Sequence, residues 1–552
     1  MFARMGCRWA FASLAILICL FASGHAVHHN DPGFDLQPKN IFILSMPTSG
    51  HANPLVVLAH ELASRGHNIT FVTGSTYNVP AYARNSAIHF HFIPETMSLT
   101  QRFDTALTEM SKPSAEPFLK TLDLLNLLRI AIKSVGTLEF QMIQEVLQTT
   151  KPGSVDLVIG GVFVSPAANV LSQVLGVPCI VHYFVYVMDF VKPLGIFVSS
   201  LTTSALETDA EPHMSVLTSI TVIINRILFS GISNLRLRER QFIYNKVKTE
   251  LAQYLPATEK PAQPVVNLIS NAWGFHPAQL AVPSTRMAGI WVPEAQSLDV
   301  QPDLKHWLDS ASRPVVYVST GTMAHPSNET LLAFYEAFSA TTEFQTLWSL
   351  KKVFQNTLRE LLGDQEWPEH VRIENFVPQL AVLDHPAVQI FFTHGGWNSV
   401  SEGLWTGTPM LGMPFFGDQP YNVAKLVHLG LGLKIDKNIM SSPDKAATIQ
   451  LIQDKLHTIL RDPSFSSRSK HFQKTFQVMG GVKKGANIVE EILAIGDTTV
   501  YSFSDNTNAV VAAMAILGLT GAAVTFGIYR LGAWGLGRLF GKRTPSIKAK
   551  AE

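Results

Sequence analysis

The feature that most constrains this chain is a succession of short, β-branched apolar segments separated by stretches with helical patterning. In the first half these segments are Ile41–Met46, Ile69–Thr73, Ile88–Ile93, Leu157–Phe163, Cys179–Phe184 and Val265–Ser270. Their length and branching predict strands rather than helices. Between the first two, Asn53–Arg65 sets Leu55, Leu58, Ala59 and Leu62 at helical spacing and ends at Gly66. Strand, helix and strand joined this tightly require right-handed crossovers and a parallel sheet. The layout recurs in Val315–Ser319, Thr346–Leu350, Val371–Ile373, Val388–Thr393 and Met410–Met413, with helical patterns such as Leu331–Ala340 and Val423–Leu429. Asn271–Ser312, punctuated by Pro277, Pro283, Pro293 and Pro302, is the predicted linker. The expectation is two doubly wound α/β domains, at 40–292 and 293–498, with a ligand cleft at the C-terminal edges of their strands.

The ends of the chain carry a different pattern. Residues 1–26 are predicted to be a signal peptide: Arg4 and Arg8 precede an apolar run from Trp9 to Phe21, and small residues follow. Ala509–Tyr529 has neither charge nor proline and matches the ~20 residues that a helix needs to cross a bilayer. The tail at 530–552 is basic, with Arg530, Arg538, Lys542, Arg543, Lys548 and Lys550, and by the positive-inside rule it is cytosolic. Lys548-Ala549-Lys550-Ala551-Glu552 resembles a K-x-K-x-x retrieval signal. The expectation is a single-pass type I protein of the endoplasmic reticulum membrane with a lumenal body. Cys179 alone would remain after the leader, so no intramolecular disulfide is predicted. A net charge of +1 gives no electrostatic case for nucleic acid. The greasy segments Leu122–Ile132 and Val216–Ile227 read either as core or as a lipophilic pocket or membrane-leaning surface.

The most informative stretch runs from Ile390 to Gln419. An apolar strand ends at Thr393, a His394-Gly395-Gly396 turn follows, and a helix starts near Asn398 and Ser399. The two glycines allow close backbone approach to a ligand. The free N–H groups and dipole of a helix start favour phosphate, and His394 can donate to the same anion. Glu402, one turn on, is placed to accept ribose hydroxyls, and Asp418 with Gln419 suits sugar hydroxyls.

Asn375–Gln419, with "FVPQLAVLDHP" and "FFTHGGWNSVSEGLWTGTPMLGMPFFGDQ", and the preceding "VVYVSTGT", resembles the donor signature of the UDP-glycosyltransferase family. The resemblance extends to the leader and anchor layout of the family's membrane members. It implies a GT-B fold, two Rossmann-like domains facing across a cleft, with a C-terminal transmembrane helix. It implies that Phe376 stacks on uracil where the family usually has Trp, and that Gln379 binds the base through its backbone. Thr322, His394, Gly396, Asn398 and Ser399 would hold the diphosphate, Glu402 the ribose, and Asp418 and Gln419 the transferred sugar. UDP-sugar is then a co-substrate, with no other cofactor; no Asp-x-Asp motif or His/Cys ligand cluster argues for a metal.

Transfer to a hydroxyl needs a general base, and histidine suits neutral pH. Pro47-Thr48-Ser49-Gly50-His51 follows the first predicted strand, which puts His51 on a loop facing the cleft, in the context of the family's catalytic histidine. His67 reads as a surface residue at a helix end. The family orients its base with an aspartate, and matching the strand Asp156–Phe163 puts Gly161 in that place. Asp156, at the strand's start, is badly placed to substitute. The implied activity is an inverting hexosyltransferase moving a sugar, glucose first, from a UDP-sugar to a small lipophilic acceptor, at the membrane. The alternative is a catalytically impaired UDP-sugar binder acting as a partner or regulator. Homo-oligomerisation is left open.

Overall fold

A computed structural model describes residues 36–84, 86–95, 135–151, 153–184, 241–255, 265–271, 284–294, 297–322, 324–363 and 365–496, with Thr108, Gly274, Phe275 and Thr498. Its backbone forms two wholly parallel sheets. The first contains β1 (Asn40–Leu44), β2 (Asn68–Gly74), β3 (Ile88–Ile93), β4 (Leu157–Gly161), β5 (Cys179–Tyr183), β6 (Val266–Ile269) and β7 (Thr285–Met287), in the order β3-β2-β1-β4-β5-β6-β7. The second contains β8 (Val315–Ser319), β9 (Gln345–Ser349), β10 (Val371–Glu374), β11 (Val388–Thr393), β12 (Met410–Gly412) and β13 (Gly432–Lys434), in the order β10-β9-β8-β11-β12-β13. The strand order reverses at β1/β4 in one sheet and at β8/β11 in the other, and each reversal opens a crevice at the strands' carboxyl ends.

The central strands are apolar on both faces because both faces are covered. Phe42, Leu44, Val158 and Val181 feed one core, while Ile41, Ile43, Leu157, Ile159 and Ile180 feed the opposite one. In the second sheet Val316, Val318, Ile390 and Phe392 face one way and Val315, Tyr317 and Phe391 the other. This is the period of two that a strand imposes. Two edge strands escape the sequence reading. β7 and β13 have three residues each, and each carries a cation, so no alternation is visible.

The helix Gly481–Ile495 follows the second sheet in sequence but packs on the first. Ala486, Ile488, Val489 and Ile492 share a core with Ile41, Ile43, Leu55 and Leu58. A polar clamp closes this junction. Arg65 reaches Glu490 at 2.6 Å and Asn487 at 2.6 Å, and the bidentate pair Arg286–Glu491 lies alongside. His67 is therefore not the surface residue expected: it is 4% exposed and 3.3 Å from Glu490. Arg65→Ala leaves the buried Glu490 carboxylate with His67 alone. Stability should fall by roughly 3 kcal/mol, the lower end for a broken buried pair, as read by urea unfolding. Arg65→Ala/Glu490→Gln should recover much of the loss.

The anchored architecture expected from the sequence needs correction. Among the described residues no helix is long and apolar enough to cross a membrane. The signal peptide at 1–26, the span Ala509–Tyr529, the tail at 530–552 and the segments Leu122–Ile132 and Val216–Ile227 lie outside the described residues. What the structure supports is the two-sheet α/β body, and the transmembrane helix, the type I topology and the endoplasmic reticulum membrane location are not carried further.

Candidate active site

Both reversal points are furnished with the residues the sequence singled out. On the first side, His51 lies in the first turn of the helix Ser49–Ser64, not on a loop as expected. The helix starts earlier than its apolar periodicity because Ser49, Gly50 and His51 are not apolar residues and add nothing to that pattern. Pro54 sits inside this helix and has no N–H to give to the carbonyl four residues back. That carbonyl belongs to Gly50, and it accepts instead from Asn398 Nδ2 of the second domain at 3.3 Å. A proline thus leaves open the acceptor through which the two halves of the cleft touch beside His51.

The His51 ring lies edge-on to Phe163, 4.7 Å between centroids, and tilted against Phe184 at 5.0 Å. This apolar box lowers its pKa to about 4 by desolvation. Among the described residues no carboxylate contributes to the shift. Gly161 ends β4 in the place where an aspartate was expected. Asp156 is committed at the other end of the sheet, accepting from the Asn40 amide at 2.8 Å and facing Lys39 at 3.5 Å. One residue that the sequence reading missed shares the His51 cavity: His182, at the carboxyl end of β5, in register with Gly161. A histidine ending a strand next to a reversal point was the available signal.

On the second side, His394 follows β11 and is cradled by glycine. A Cβ at Gly321 would lie 2.4 Å from the ring, and one at Gly396 would also lie 2.4 Å from it. Burial lowers the His394 pKa to about 4, and its Nδ1 is buried with no protein partner. The imidazole is therefore neutral at pH 7, burial outweighing the opposing bond that its N–H gives to the Ser319 backbone. Gly396 caps the helix Trp397–Thr406 without a side-chain acceptor; the first amide, that of Trp397, is taken by Asp418, and the amides of Asn398 and Ser399 follow it at the helix start.

Within that helix the roles implied by the sequence divide. Asn398 reaches Gly50, whereas the Ser399 hydroxyl is buried and accepts from Gln379 Nε2 at 3.3 Å. Gln379 also donates to Glu402 and accepts from the Tyr317 hydroxyl at 2.9 Å, so its side chain fixes the Glu402 carboxylate. Burial raises the Glu402 pKa to about 7, against the opposing bond from Gln379. Asp418 is also raised by burial, although Asn422 Nδ2, at 2.7 Å, and the Trp397 amide hold its carboxylate. Gln419 is buried, and its side-chain oxygen accepts from the Phe415 and Phe416 amides at 2.8 and 3.2 Å. That oxygen shapes the turn, which leaves the amide nitrogen for a ligand. Phe376, past β10, is 65% exposed, with a free ring face. Thr322 is exposed past β8, and Lys351 donates to its carbonyl. Trp397 is core: its ring packs on Phe275 and its N–H donates to the Ser270 carbonyl at 3.2 Å. Among the described residues no group of three or more His, Cys, Asp or Glu is placed to hold a metal ion.

The Glu402 position gives a testable pH effect. If Glu402 accepts from the ribose hydroxyls, its carboxylate accepts more strongly than its neutral form, so UDP-glucose should bind about fivefold more weakly at pH 6 than at pH 8. That is the difference of roughly 1 kcal/mol between charged and neutral hydrogen bonds. Calorimetry should show this step in the native chain and a flat response in Glu402→Gln.

Comparison with known proteins agrees with this geometry. Residues 39–466 match the family model "UDP-glucoronosyl and UDP-glucosyl transferase". UDP-glucuronosyltransferase 2B19 of Macaca fascicularis is 23% identical over 449 residues, covering 77% of this chain and 79% of that protein. UDP-glucosyltransferase 2 of Dactylopius coccus is 28% identical over 194 residues, covering 35% of this chain and 34% of that protein. Among solved structures, the glycotransferase of kitacinnamycin superposes with a TM-score of 0.56 at 18% identity, over 83% of this chain and all of that one. Arabidopsis thaliana UGT89C1, solved with UDP-L-rhamnose, gives 0.55 at 16% identity with the same coverage. At such identities the structures speak for the fold, and the family match speaks for the activity. The chain belongs to the UDP-glucoronosyl and UDP-glucosyl transferase family and is a UDP-sugar-dependent glycosyltransferase.

Proposed function

We propose that the chain transfers a hexosyl group, glucose first, from a UDP-sugar to a hydroxyl of a small lipophilic acceptor, with inversion and with His51 as general base. The observation that carries this reading is the contact between Asn398 and the Gly50 carbonyl. It sets the His-Gly-Gly turn and the start of the following helix opposite the turn bearing His51. The neutral His51 ring takes the acceptor proton as the oxygen attacks the anomeric carbon. His394 and the helix start stabilise the departing diphosphate, Glu402 holds the ribose, Phe376 stacks on the base, and Asp418 orients the sugar. The aromatic walls around His51, Phe163 and Phe184, favour an apolar acceptor.

The test incubates the full chain with UDP-glucose and a panel of lipophilic alcohols and phenols, following UDP release and product mass. A product with inverted anomeric configuration supports the reading, and a retained configuration sinks the direct displacement. A second reading, a UDP-sugar binder with impaired chemistry, is favoured by one observation: among the described residues no carboxylate contributes to the shift of His51. UDP-glucose binding without product from UDP-glucose, UDP-glucuronate or UDP-N-acetylglucosamine would select it.

A further inference from the structure

The catalytic side of the cleft holds an unusual pair. His51 and His182 line one small cavity, about large enough for a water molecule, together with Met46, Gly161, Val162, Phe163 and Phe184. They are the two titratable groups in that lining. Gly161 stands between them: it is paired with His182 in the sheet and projects no side chain into the gap. The His182 ring is fixed on both sides. It stacks on Trp291, 4.8 Å between centroids and 13° from parallel, and its Nε2 lies 2.8 Å from Ser270 Oγ. Ser270 Oγ in turn donates to the Tyr183 carbonyl at 3.5 Å. Assigning the serine proton to that carbonyl makes Nε2 the protonated nitrogen of His182 and leaves the lone pair on Nδ1. Ser270 also receives the Trp397 N–H on its carbonyl, so one residue ties His182 to the first turn of the donor-site helix.

We propose that His182 is the positioning residue for His51 in this chain, a neutral imidazole that accepts a hydrogen bond from the His51 ring across the space left open by Gly161. This rests on the general-base reading of His51. During transfer the acceptor O–H bond breaks and its proton passes to one nitrogen of His51. The oxygen's electron pair forms the new bond to the anomeric carbon as the bond to UDP breaks. The other His51 nitrogen keeps its own proton, which points at the His182 lone pair and fixes the ring. A neutral acceptor replaces an anion, so the base is oriented without the strong rise in basicity that a carboxylate confers. The direction of the shifts agrees: burial holds both rings neutral, and His51 lowers His182 further.

The test compares the full native chain with His182→Gln, His182→Phe, Ser270→Ala and Gly161→Asp/His182→Phe. UDP-glucose binding by calorimetry reports the donor site. UDP release with the alcohol and phenol panel is read against pH, and His51 is titrated by NMR. His182→Gln keeps a donor for Ser270 and an acceptor for His51, so most of the rate should survive. His182→Phe keeps the packing and loses the acceptor, so kcat should fall about tenfold or more, part of the 10²–10⁴ that a positioned base contributes, with donor affinity unchanged. Ser270→Ala, which releases the tautomer, should fall between them, and Gly161→Asp should restore the Phe variant. Equal rates, pH profiles and His51 titrations in the Gln and Phe variants overturn the proposal. Should a His182 variant lose donor binding, Ser270→Ala decides, and a native kcat and His51 titration in it overturn the proposal. If the native chain yields no product from any acceptor, the general-base reading fails separately. The pairing then stands on a His51 titration that moves in His182→Phe but not in His182→Gln, and falls if it moves in neither.

Discussion

His51→Ala should lose most of its sugar transfer while UDP-glucose binds as in the native chain. The expected loss is about 10²–10⁴ in kcat, the range that a positioned general base supplies. The separation of binding from chemistry follows from the architecture. His51 belongs to the helix after β1, whereas the groups assigned to the donor belong to the segments after β8, β10, β11 and β12. The pH profile gives a second reading of the same group. Only neutral His51 accepts a proton, and burial holds its pKa at about 4. At saturating UDP-glucose, where titration of Glu402 no longer limits binding, kcat should therefore persist on acidification until about pH 4. An ordinary exposed histidine would lose activity near 6.5. A native-level kcat in His51→Ala would end the general-base assignment.

Gly161→Asp raises the rate. A Cβ at Gly161 meets Leu55 Cδ1 at 3.4 Å, the Leu44 carbonyl at 3.7 Å and Ser45 Oγ at 3.9 Å, all ordinary contacts. The backbone there is extended, so a side chain is tolerated without strain. The new carboxylate enters the cavity that holds the His51 ring. An opposite charge at this range stabilises the imidazolium by about 1–3 pKa units. The expected result is kcat up about tenfold or more, with the His51 titration and the acid limb of the profile moved from about 4 towards the usual histidine range. The gain should be larger in the His182→Phe background, because the two groups serve the same ring. An inactive but donor-binding Gly161→Asp chain would show that the cavity is needed for the acceptor instead.

The sequence by itself determined whatever depends on neighbours along the chain. The runs Ile41–Met46 and Val315–Ser319 read as strands of parallel sheets, and the turn His394-Gly395-Gly396 as the join between a strand and a helix start. Those signals are local: branching, alternation and glycine spacing act over a few residues. The tertiary structure decided what depends on residues far apart in sequence. His67 is buried because Glu490 arrives from more than 400 positions away. Gln379 spends its side chain on Tyr317, Ser399 and Glu402, and the Gln419 oxygen turns back onto Phe415 and Phe416. Neither commitment is visible in a motif. The free Gly50 carbonyl follows from Pro54 once a helix is known, but its partner Asn398 comes from the other domain. The setting of His51 is the clearest case. That it would follow a strand at the cleft was legible in the sequence. That its neighbours would be two phenylalanines, a glycine and His182 was settled by β1, β4 and β5 lying side by side, since only sheet order brings those strand ends together.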